Sequence, residues 1–173
     1  VYHAFKSPAA QENAKQWCHD HFLSFRALQQ ADNVRMQLKR IMEREEIELV
    51  STPFEDKKYY ENIRRALCAG FFMQVAKKDT SGKNYSTVKD NQSVLLHPST
   101  VLGQDSEWVL YNEFVLTSKN YIRTVTAVKP EWLLDIAPMY YDLDSLPKGD
   151  VKTALQRTAE RMKRREAVSK GKR

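Results

Sequence analysis

The stretch VLTSKNYIRTVT, residues 115–126, decides the fold because it holds two strand-like runs separated by the polar break SKN. Two alternating runs joined by three polar residues predict a β-hairpin. The tip and the strand after it place two cations, Lys119 and Arg123, on either side of Tyr121. Such a tip is either an ordinary solvated turn or a surface that holds an anion.

Four strand-like runs precede the second half of this hairpin. They are FMQVAKK, YSTVKD, SVLLHP and EWVLYNEFVLT, and the irregular segment STVLGQDS separates the third run from the fourth. Five short strands with one longer connection are typical of a small Greek-key barrel, and the OB fold is the best candidate. Strict alternation predicts which side chains fill the core of this barrel. These are Trp108, Leu110, Phe114 and Leu96.

Helical periodicity flanks the predicted barrel on both sides. Ser7-Pro8 is a helix start signal, and apolar residues recur at helical spacing over residues 24–46 and again after Lys57. The predicted fold class is therefore α+β, an N-terminal helical part followed by a five-stranded OB-fold β-barrel and a C-terminal helix. The predicted divisions are residues 1–55 for the helical part, 56–147 for a linking helix with the barrel, and 148–173 for the last helix with a basic tail.

Composition indicates a folded protein with anionic partners. The 173 residues are 42% hydrophobic and carry a formal net charge of +6, which favours nucleic acid first and a membrane surface second. Apolar runs fall short of the roughly 20 residues that span a bilayer, so we expect no membrane partner. The basic tail, residues 161–173, is expected to be solvated or disordered and less often to bind nucleic acid. The chain begins without methionine, and we expect it to be a piece of a longer protein.

Motifs for catalysis or metal binding are missing from the sequence. Ser81-Gly82-Lys83 is similar to the end of a phosphate-binding loop, but Asn84 stands where a hydroxyl should coordinate magnesium. Cys18 and Cys68 lack metal-ligand spacing and are expected to be buried thiols in a reducing compartment. We therefore predict no catalytic residue, no metal site and no cofactor site in this chain.

Binding of single-stranded nucleic acid is better supported by the loops of the predicted barrel. An OB fold binds its ligand between the loop joining strands 1 and 2 and the loop joining strands 4 and 5. Cations meet phosphates and aromatic rings stack on bases, whereas the alternative leaves the cations in water and packs Tyr121 on the barrel. A strand-ending histidine beside two hydroxyls is a further candidate for phosphate or ribose contact. The candidate residues are Lys77, Lys78, Lys83, His97, Ser99, Thr100, Lys119, Asn120, Tyr121 and Arg123.

Several long blocks resemble the C-terminal region of DEAH-box RNA helicases over residues 3–151. These blocks are ADNVRMQL, NIRRALCAGFFMQVAKK, VKDNQSVLLHPSTVLG, EWVLYNEFVLTSKNYIRTVTAV and PEWLLDIAPMYYDL. The resemblance implies that residues 1–55 are the latter part of a helical ratchet domain and that an OB fold follows. It also implies that the RecA-like motor domains, with ATP and Mg²⁺, lie outside this chain, which is then no enzyme by itself.

The resemblance is strongest to the fungal branch that acts in pre-mRNA splicing, in spliceosome disassembly and ribosome biogenesis. It implies single-stranded RNA, a G-patch activator protein, spliceosome and pre-ribosome components and the helicase's own RecA-like domains as partners. It also implies a nuclear and nucleolar location, with the cytoplasm as an additional one. Two alternatives remain open. The chain could be a protein-interaction module that docks a G-patch protein with little RNA contact, or an independent single-strand-binding protein.

Overall fold

The computed structural model describes residues 1–80, 82–103 and 105–170. The chain divides into two compact units, Val1–Ser51 and Thr52–Arg173. The final three residues of the predicted basic tail, 171–173, lie outside the described residues. None of the described helices is both long and apolar enough to cross a lipid bilayer.

The first unit is helical, and the helices that begin at Pro8 and Phe25 start where the sequence predicts them. Ser7 accepts a hydrogen bond from the backbone N–H of Ala10 at 3.4 Å, and Ser24 accepts one from Ala27 at 3.2 Å. These caps satisfy N–H groups that the first turn of a helix leaves without an intrahelical partner. The helices are α1 Tyr2–Phe5, α2 Pro8–Glu12, α3 Ala14–Asp20 and α4 Phe25–Arg44.

The second unit contains the barrel and three further helices. The period of the sequence changes from helical to strand-like just after Gly70, where helix α5 ends. The helices are α5 Tyr59–Gly70, α6 Pro130–Ile136 and α7 Asp150–Lys170. The strands are β1 Val75–Lys78, β2 Tyr85–Thr87, β3 Ser93–Leu96, β4 Trp108–Leu116 and β5 Asn120–Ala127.

The strands close into a barrel in the order β1-β2-β3-β5-β4. Strands β4 and β5 form the predicted antiparallel hairpin, with Leu116 opposite Asn120. The barrel closes where β3 pairs in parallel with β5, which brings Leu95 opposite Tyr121 and Leu96 opposite Ile122. We call this β3–β5 pairing the parallel seam. The predicted α+β fold is confirmed. Along the chain, helices come first, a five-stranded OB-type barrel follows, and a helix ends the described residues.

Two hydrophobic clusters hold the second unit together. The inner cluster takes side chains from all five strands and therefore fills the barrel. Its buried members are Ala76, Tyr85, Val94, Val109, Tyr111 and Ile122. The outer cluster joins outward side chains of β1 and β4 to the helices, and includes Cys68, Val75, Trp108, Leu110, Trp132, Leu133, Tyr141, Val151 and Leu155.

The predicted core set divides between these clusters. Trp108 and Leu110 are buried, but they pack in the outer cluster with the helices. Phe114 and Leu96 are half-buried and pack against the inner cluster. The prediction that all four side chains fill the barrel is therefore wrong for Trp108 and Leu110.

The physical reason is a break in the alternation of the hairpin. Thr124 has a φ of 54°, in the left-handed region that β-branched residues rarely adopt. Its neighbours Ile122 and Val125 lie three positions apart, yet both pack in the inner cluster. Their partners across the hairpin, Phe114 and Tyr111, follow the same spacing. Strict period-2 extrapolation along β4 consequently puts residues on the wrong face beyond this point.

Helix α7 and the cysteines complete the fold. Val151, Leu155 and Thr158 of α7 are buried, and the helix continues to Lys170. Residues 161–170 of the predicted tail are helical and, apart from the half-buried Met162, exposed, so the solvated form of the expectation holds there and the disordered form does not. Cys18 and Cys68 are buried free thiols as predicted.

Candidate nucleic-acid interface

The parallel seam gathers an aromatic pair on the outside of the barrel. His97 directly follows β3, and its N–H donates to the carbonyl of Ile122 at 3.0 Å. This bond extends the seam by one residue and brings the His97 ring edge-on to Tyr121, with the ring centroids 5.7 Å apart. Ile122 is buried in the inner cluster, so its strand neighbour Tyr121 projects on the opposite, outward side. Tyr121 is half-buried there.

A tight turn after His97 determines which tautomer the neutral imidazole adopts. The N–H of Ser99 donates to Nδ1 of His97 at 3.1 Å, and the Ser99 hydroxyl lies 2.7 Å from the same nitrogen. A nitrogen that accepts a backbone N–H carries no proton, so we assign the proton of the neutral ring to Nε2. The N–H of Thr100 closes the turn on the His97 carbonyl at 2.8 Å. The imidazole thus keeps one donor for a ligand.

A cavity of about 390 Å³ lies beside this turn. Hydroxyl groups, one carboxylate and one guanidinium line it together with aliphatic side chains. The buried hydroxyl oxygen of Thr100 has no hydrogen-bond partner among the described residues. A buried polar atom without a partner is costly unless water or a ligand satisfies it. The lining residues are Ser99, Thr100, Val101, Leu102, Glu113, Arg123, Thr124 and Val125.

Arg123 is paired with a carboxylate of the neighbouring strand. Glu113 and Arg123 are opposite one another in the hairpin, and the Arg123 Nε lies 2.9 Å from a Glu113 oxygen. A terminal guanidinium nitrogen donates to the same oxygen. The side chains are 45% and 41% exposed, and ion pairs this open contribute about 0–1 kcal/mol. A phosphate can therefore replace Glu113 as the partner of Arg123 at a small cost in free energy.

The hairpin tip carries Lys119 and Asn120 as predicted candidates. Thr117 donates its N–H and its hydroxyl to the carbonyl of Lys119, at 3.1 and 3.0 Å. These bonds close the turn one residue earlier than the sequence suggested, so that Asn120 is already the first residue of β5. Lys119 is exposed at the tip.

The three candidate lysines at and after the end of β1 are presented unequally, since Lys77 and Lys78 are the last residues of β1 and Lys83 lies in the loop that follows. Lys77 is only 7% exposed, and its ammonium lies 3.1 Å from the Lys78 carbonyl and 3.7 Å from Glu107. This placement differs from the expectation that Lys77 faces a ligand, because its side chain points into a paired, buried position. Lys78 is half-buried and Lys83 is exposed.

The structure thus brings five of the candidates together at the parallel seam. They are His97, Ser99, Thr100, Tyr121 and Arg123. Sequence reasoning missed Glu113, although the hairpin register contained the signal. Glu113 and Arg123 are equally far from the tip, since Leu116 pairs with Asn120. Across the residues that the structure describes, histidine, cysteine and acidic side chains form no group able to hold a metal ion.

Comparison with known proteins finds similarity over the barrel and over most of the chain. Residues 63–140 match the family described as the oligonucleotide/oligosaccharide-binding (OB)-fold. Over 142 residues, 82% of this chain, the sequence is 40% identical to the pre-mRNA-splicing factor ATP-dependent RNA helicase prp22 of Schizosaccharomyces pombe. The matched part spans 12% of that protein's length. Both findings confirm the resemblance to the OB-fold region of RNA helicases.

Proposed function

Because residues 63–140 belong to the OB-fold family, we propose that this chain is the RNA-binding accessory region of an ATP-dependent RNA helicase that acts in pre-mRNA splicing. The helicase activity and the splicing role are those of the relative. One observation carries the RNA-binding part. An aromatic ring, an imidazole donor, hydroxyl groups and a guanidinium converge at the parallel seam, outside the barrel.

Each group at the seam has a role in holding a single strand. Tyr121 stacks on a base, an interaction of roughly 1–3 kcal/mol that tolerates any sequence. His97 donates from Nε2 to a phosphate or ribose oxygen, and Arg123 binds a phosphate when it leaves Glu113. Ser99 and Thr100 offer hydroxyls inside the adjacent cavity. The remaining candidates Lys78, Lys83, Lys119 and Asn120 extend the strand's path over the two loops.

The chain serves the motor of its parent protein and does not hydrolyse NTP by itself. We infer that residues 1–55 complete a ratchet domain, that 56–147 hold the RNA and that 148–173 are the C-terminal helix, which packs in the outer cluster, and its basic tail. In this proposal RecA-like domains elsewhere in the parent protein bind ATP and Mg²⁺, and RNA held at the barrel regulates them. NTP turnover that co-purifies with the chain, and is lost when one of its residues is changed, contradicts this part.

The cellular setting of the proposal follows from the relative's splicing role. We propose a nuclear location and spliceosome components as partners. Spliceosome disassembly, ribosome biogenesis with pre-ribosome partners, and a nucleolar or cytoplasmic pool are finer parts of the same proposal. They rest on the sequence resemblance alone.

Docking of a G-patch activator protein is the second candidate function. Two apolar side chains near the seam favour it, because Val101 is fully exposed and Leu116 is 76% exposed. Contiguous exposed apolar patches rimmed by polar residues are typical of protein contacts, and these two side chains would form part of such a patch. In this alternative the same wall of the barrel binds a peptide and contacts little RNA.

A salt-dependent titration with single-stranded RNA, with and without a G-patch peptide, tests the two functions. Each phosphate contact contributes roughly 0.7 to the slope of log affinity against log salt, so Lys119→Ala with Arg123→Ala should lower the slope by about 1.4. Lys57→Ala with Lys58→Ala removes the same charge from exposed positions before α5 and should leave the slope unchanged. Tight peptide binding with no measurable RNA affinity favours the docking alternative.

A further inference from the structure

The second half of helix α7 has no packing role that explains its sequence. The buried side chains of α7 are Val151, Leu155 and Thr158, all in its first half. Met162 is half-buried, and every position from Lys163 to Lys170 is exposed. The stripe that anchors the helix thus ends after Met162, while the helix continues for two further turns.

Four arginines form a ridge on this helix. Arg157, Arg161, Arg164 and Arg165 are separated by steps of four, three and one. At 3.6 residues per turn these steps fall within an arc of about 100°, and at 1.5 Å per residue they span about 12 Å along the axis. Lys163 and Lys170 lie on the opposite side of the helix. We call the four residues the arginine ridge.

One member of the arginine ridge is fixed to the body of the domain. A terminal nitrogen of Arg161 lies 3.2 Å from a Glu131 oxygen of α6 and 3.3 Å from the hydroxyl of Thr158. Thr158 is buried and donates its hydroxyl to the carbonyl of Ala154 at 2.9 Å. The buried stripe of α7 sets the rotation of the helix and this contact agrees with it, so the other three arginines lie on a fixed face.

The helix dipole does not account for the arginine ridge. Cations near a helix C-terminus are stabilised by the macrodipole, but the effect falls off within the last turn. It can account for Lys170, the last helical residue that the structure describes, and does not reach Arg157, Arg161 or Arg164. The positive charge of the ridge is therefore better explained by an external ligand.

We propose that the arginine ridge binds phosphates of an RNA backbone as a contact site separate from the barrel. Guanidinium groups bind phosphate oxygens in a bidentate manner, and a ridge of them fits a repeating polyanion. A membrane is a poorer fit because an interfacial helix needs a broad apolar face. Beyond Met162 the exposed segment offers only Ala167 and Val168 as apolar residues. The proposal shares with the proposed function the RNA ligand and none of its residues.

A charge-matched pair of double variants tests the arginine ridge. Arg164→Gln with Arg165→Gln and Lys163→Gln with Lys170→Gln each remove two charges from the same exposed segment, and glutamine keeps helix propensity. The titration uses single-stranded RNA longer than the roughly 16 nucleotides that the largest OB sites cover. The arginine variant should lower the salt slope by about 1.4, two contacts at roughly 0.7 each, and the lysine variant should not.

The outcomes separate this proposal from the function of the barrel. Equal losses in both double variants would show general attraction by charge and overturn the ridge, as would an unchanged slope in the arginine variant. Loss of RNA affinity in the arginine variant, while Tyr121→Ser has no effect, would uphold the ridge and contradict the barrel site. Circular dichroism of each variant checks that α7 stays helical, so that a lost contact is not a lost helix.

Discussion

Two outward walls of the same barrel differ in whether helices cover them. On the wall formed by β1 and β4, the outward side chains Trp108 and Leu110 are covered by helices. On the wall at the parallel seam, Tyr121 is half-buried beside His97 and Arg123 is exposed, which leaves an open wall in comparison. The strand pairing differs, antiparallel for β1–β4 and parallel for β3–β5, and so does the type of residue that faces outward. Apolar outward residues recruit a helical cover, and amphipathic or charged ones leave a surface that a ligand can use.

The covered wall stabilises the unit, and the open wall is free to bind. Trp132 and Leu133 of α6 and Leu155 of α7 are buried against the covered wall. Burying such side chains contributes about 1.5–3 kcal/mol each relative to exposure. Changes on the covered wall should therefore reduce stability, whereas changes on the open wall should alter affinity. Four substitutions test this division, beginning with the largest expected effect.

Leu110→Ala should lower the free energy of unfolding by about 2–5 kcal/mol, because it leaves a cavity in the outer cluster. The affinity of the folded protein for RNA should not change. Chemical denaturation measures the stability difference. Leu116→Ala is the matched control, since Leu116 is 76% exposed and its truncation should change stability by less than about 0.5 kcal/mol. Comparable losses from both variants would show that the covered wall is not special.

Tyr121→Ser should weaken binding of single-stranded RNA by roughly 1–3 kcal/mol, the scale of one stacked base. The melting temperature should scarcely move, because the ring is on the open wall. Tyr60→Ser on α5 removes another accessible tyrosine and should not affect RNA binding. A marked drop in melting temperature with unaltered RNA affinity would reclassify Tyr121 as a packing residue.

Glu113→Gln should strengthen RNA binding, since it removes the charge that competes with phosphate for Arg123. An exposed ion pair is worth about 0–1 kcal/mol, so the affinity should rise at most about fivefold and stability should fall by no more than about 1 kcal/mol. Isothermal titration and thermal unfolding of the same sample measure both. Weaker RNA binding in this variant would mean that Glu113 orients Arg123 for the ligand.

Thr124→Gly should produce the smallest change, a gain in stability of about 0.5 kcal/mol. The left-handed conformation costs a non-glycine residue about 1–2 kcal/mol, and glycine avoids this cost. The greater conformational freedom of glycine in the unfolded chain offsets about 0.5–1 kcal/mol of the gain. Thr124→Ala is the control, because alanine keeps the Cβ atom and most of the strain. If alanine and glycine stabilise equally, the hydroxyl or branching of Thr124, and not its φ, is the source of the effect.

The sequence predicts most of the fold but less of the interface. Element order, helix caps and the hairpin follow from local chemistry, such as Ser7 before Pro8 and the polar break before Tyr121. The face of each strand residue is harder, because inward and helix-covered outward positions are both apolar, as for Val109 and Trp108. The left-handed Thr124 reverses the alternation without any glycine to signal it.

The interface shows the same limit. The burial of Lys77 and the pairing of Arg123 depend on neighbouring strands, so composition of a single loop does not reveal them. The hairpin register does reveal the pairing of Arg123, since counting outward from the tip places Glu113 opposite it. Local patterns therefore identified the chemical types at the site, and strand pairing determined which of them meet.

The candidate surface lies where the barrel closes, at the parallel seam, and therefore depends on that closure. Leu95 and Tyr121 are separated in the chain by the whole of β4, so the surface exists only when this non-local pairing is complete. A strand of RNA that contacts both β3 and β5 would then stabilise the closed barrel. By mass action, ligand at a hundred times its Kd adds about 2.7 kcal/mol to the closed state. The His97 amide, bonded across the seam to Ile122, should accordingly exchange with solvent more slowly when RNA is bound.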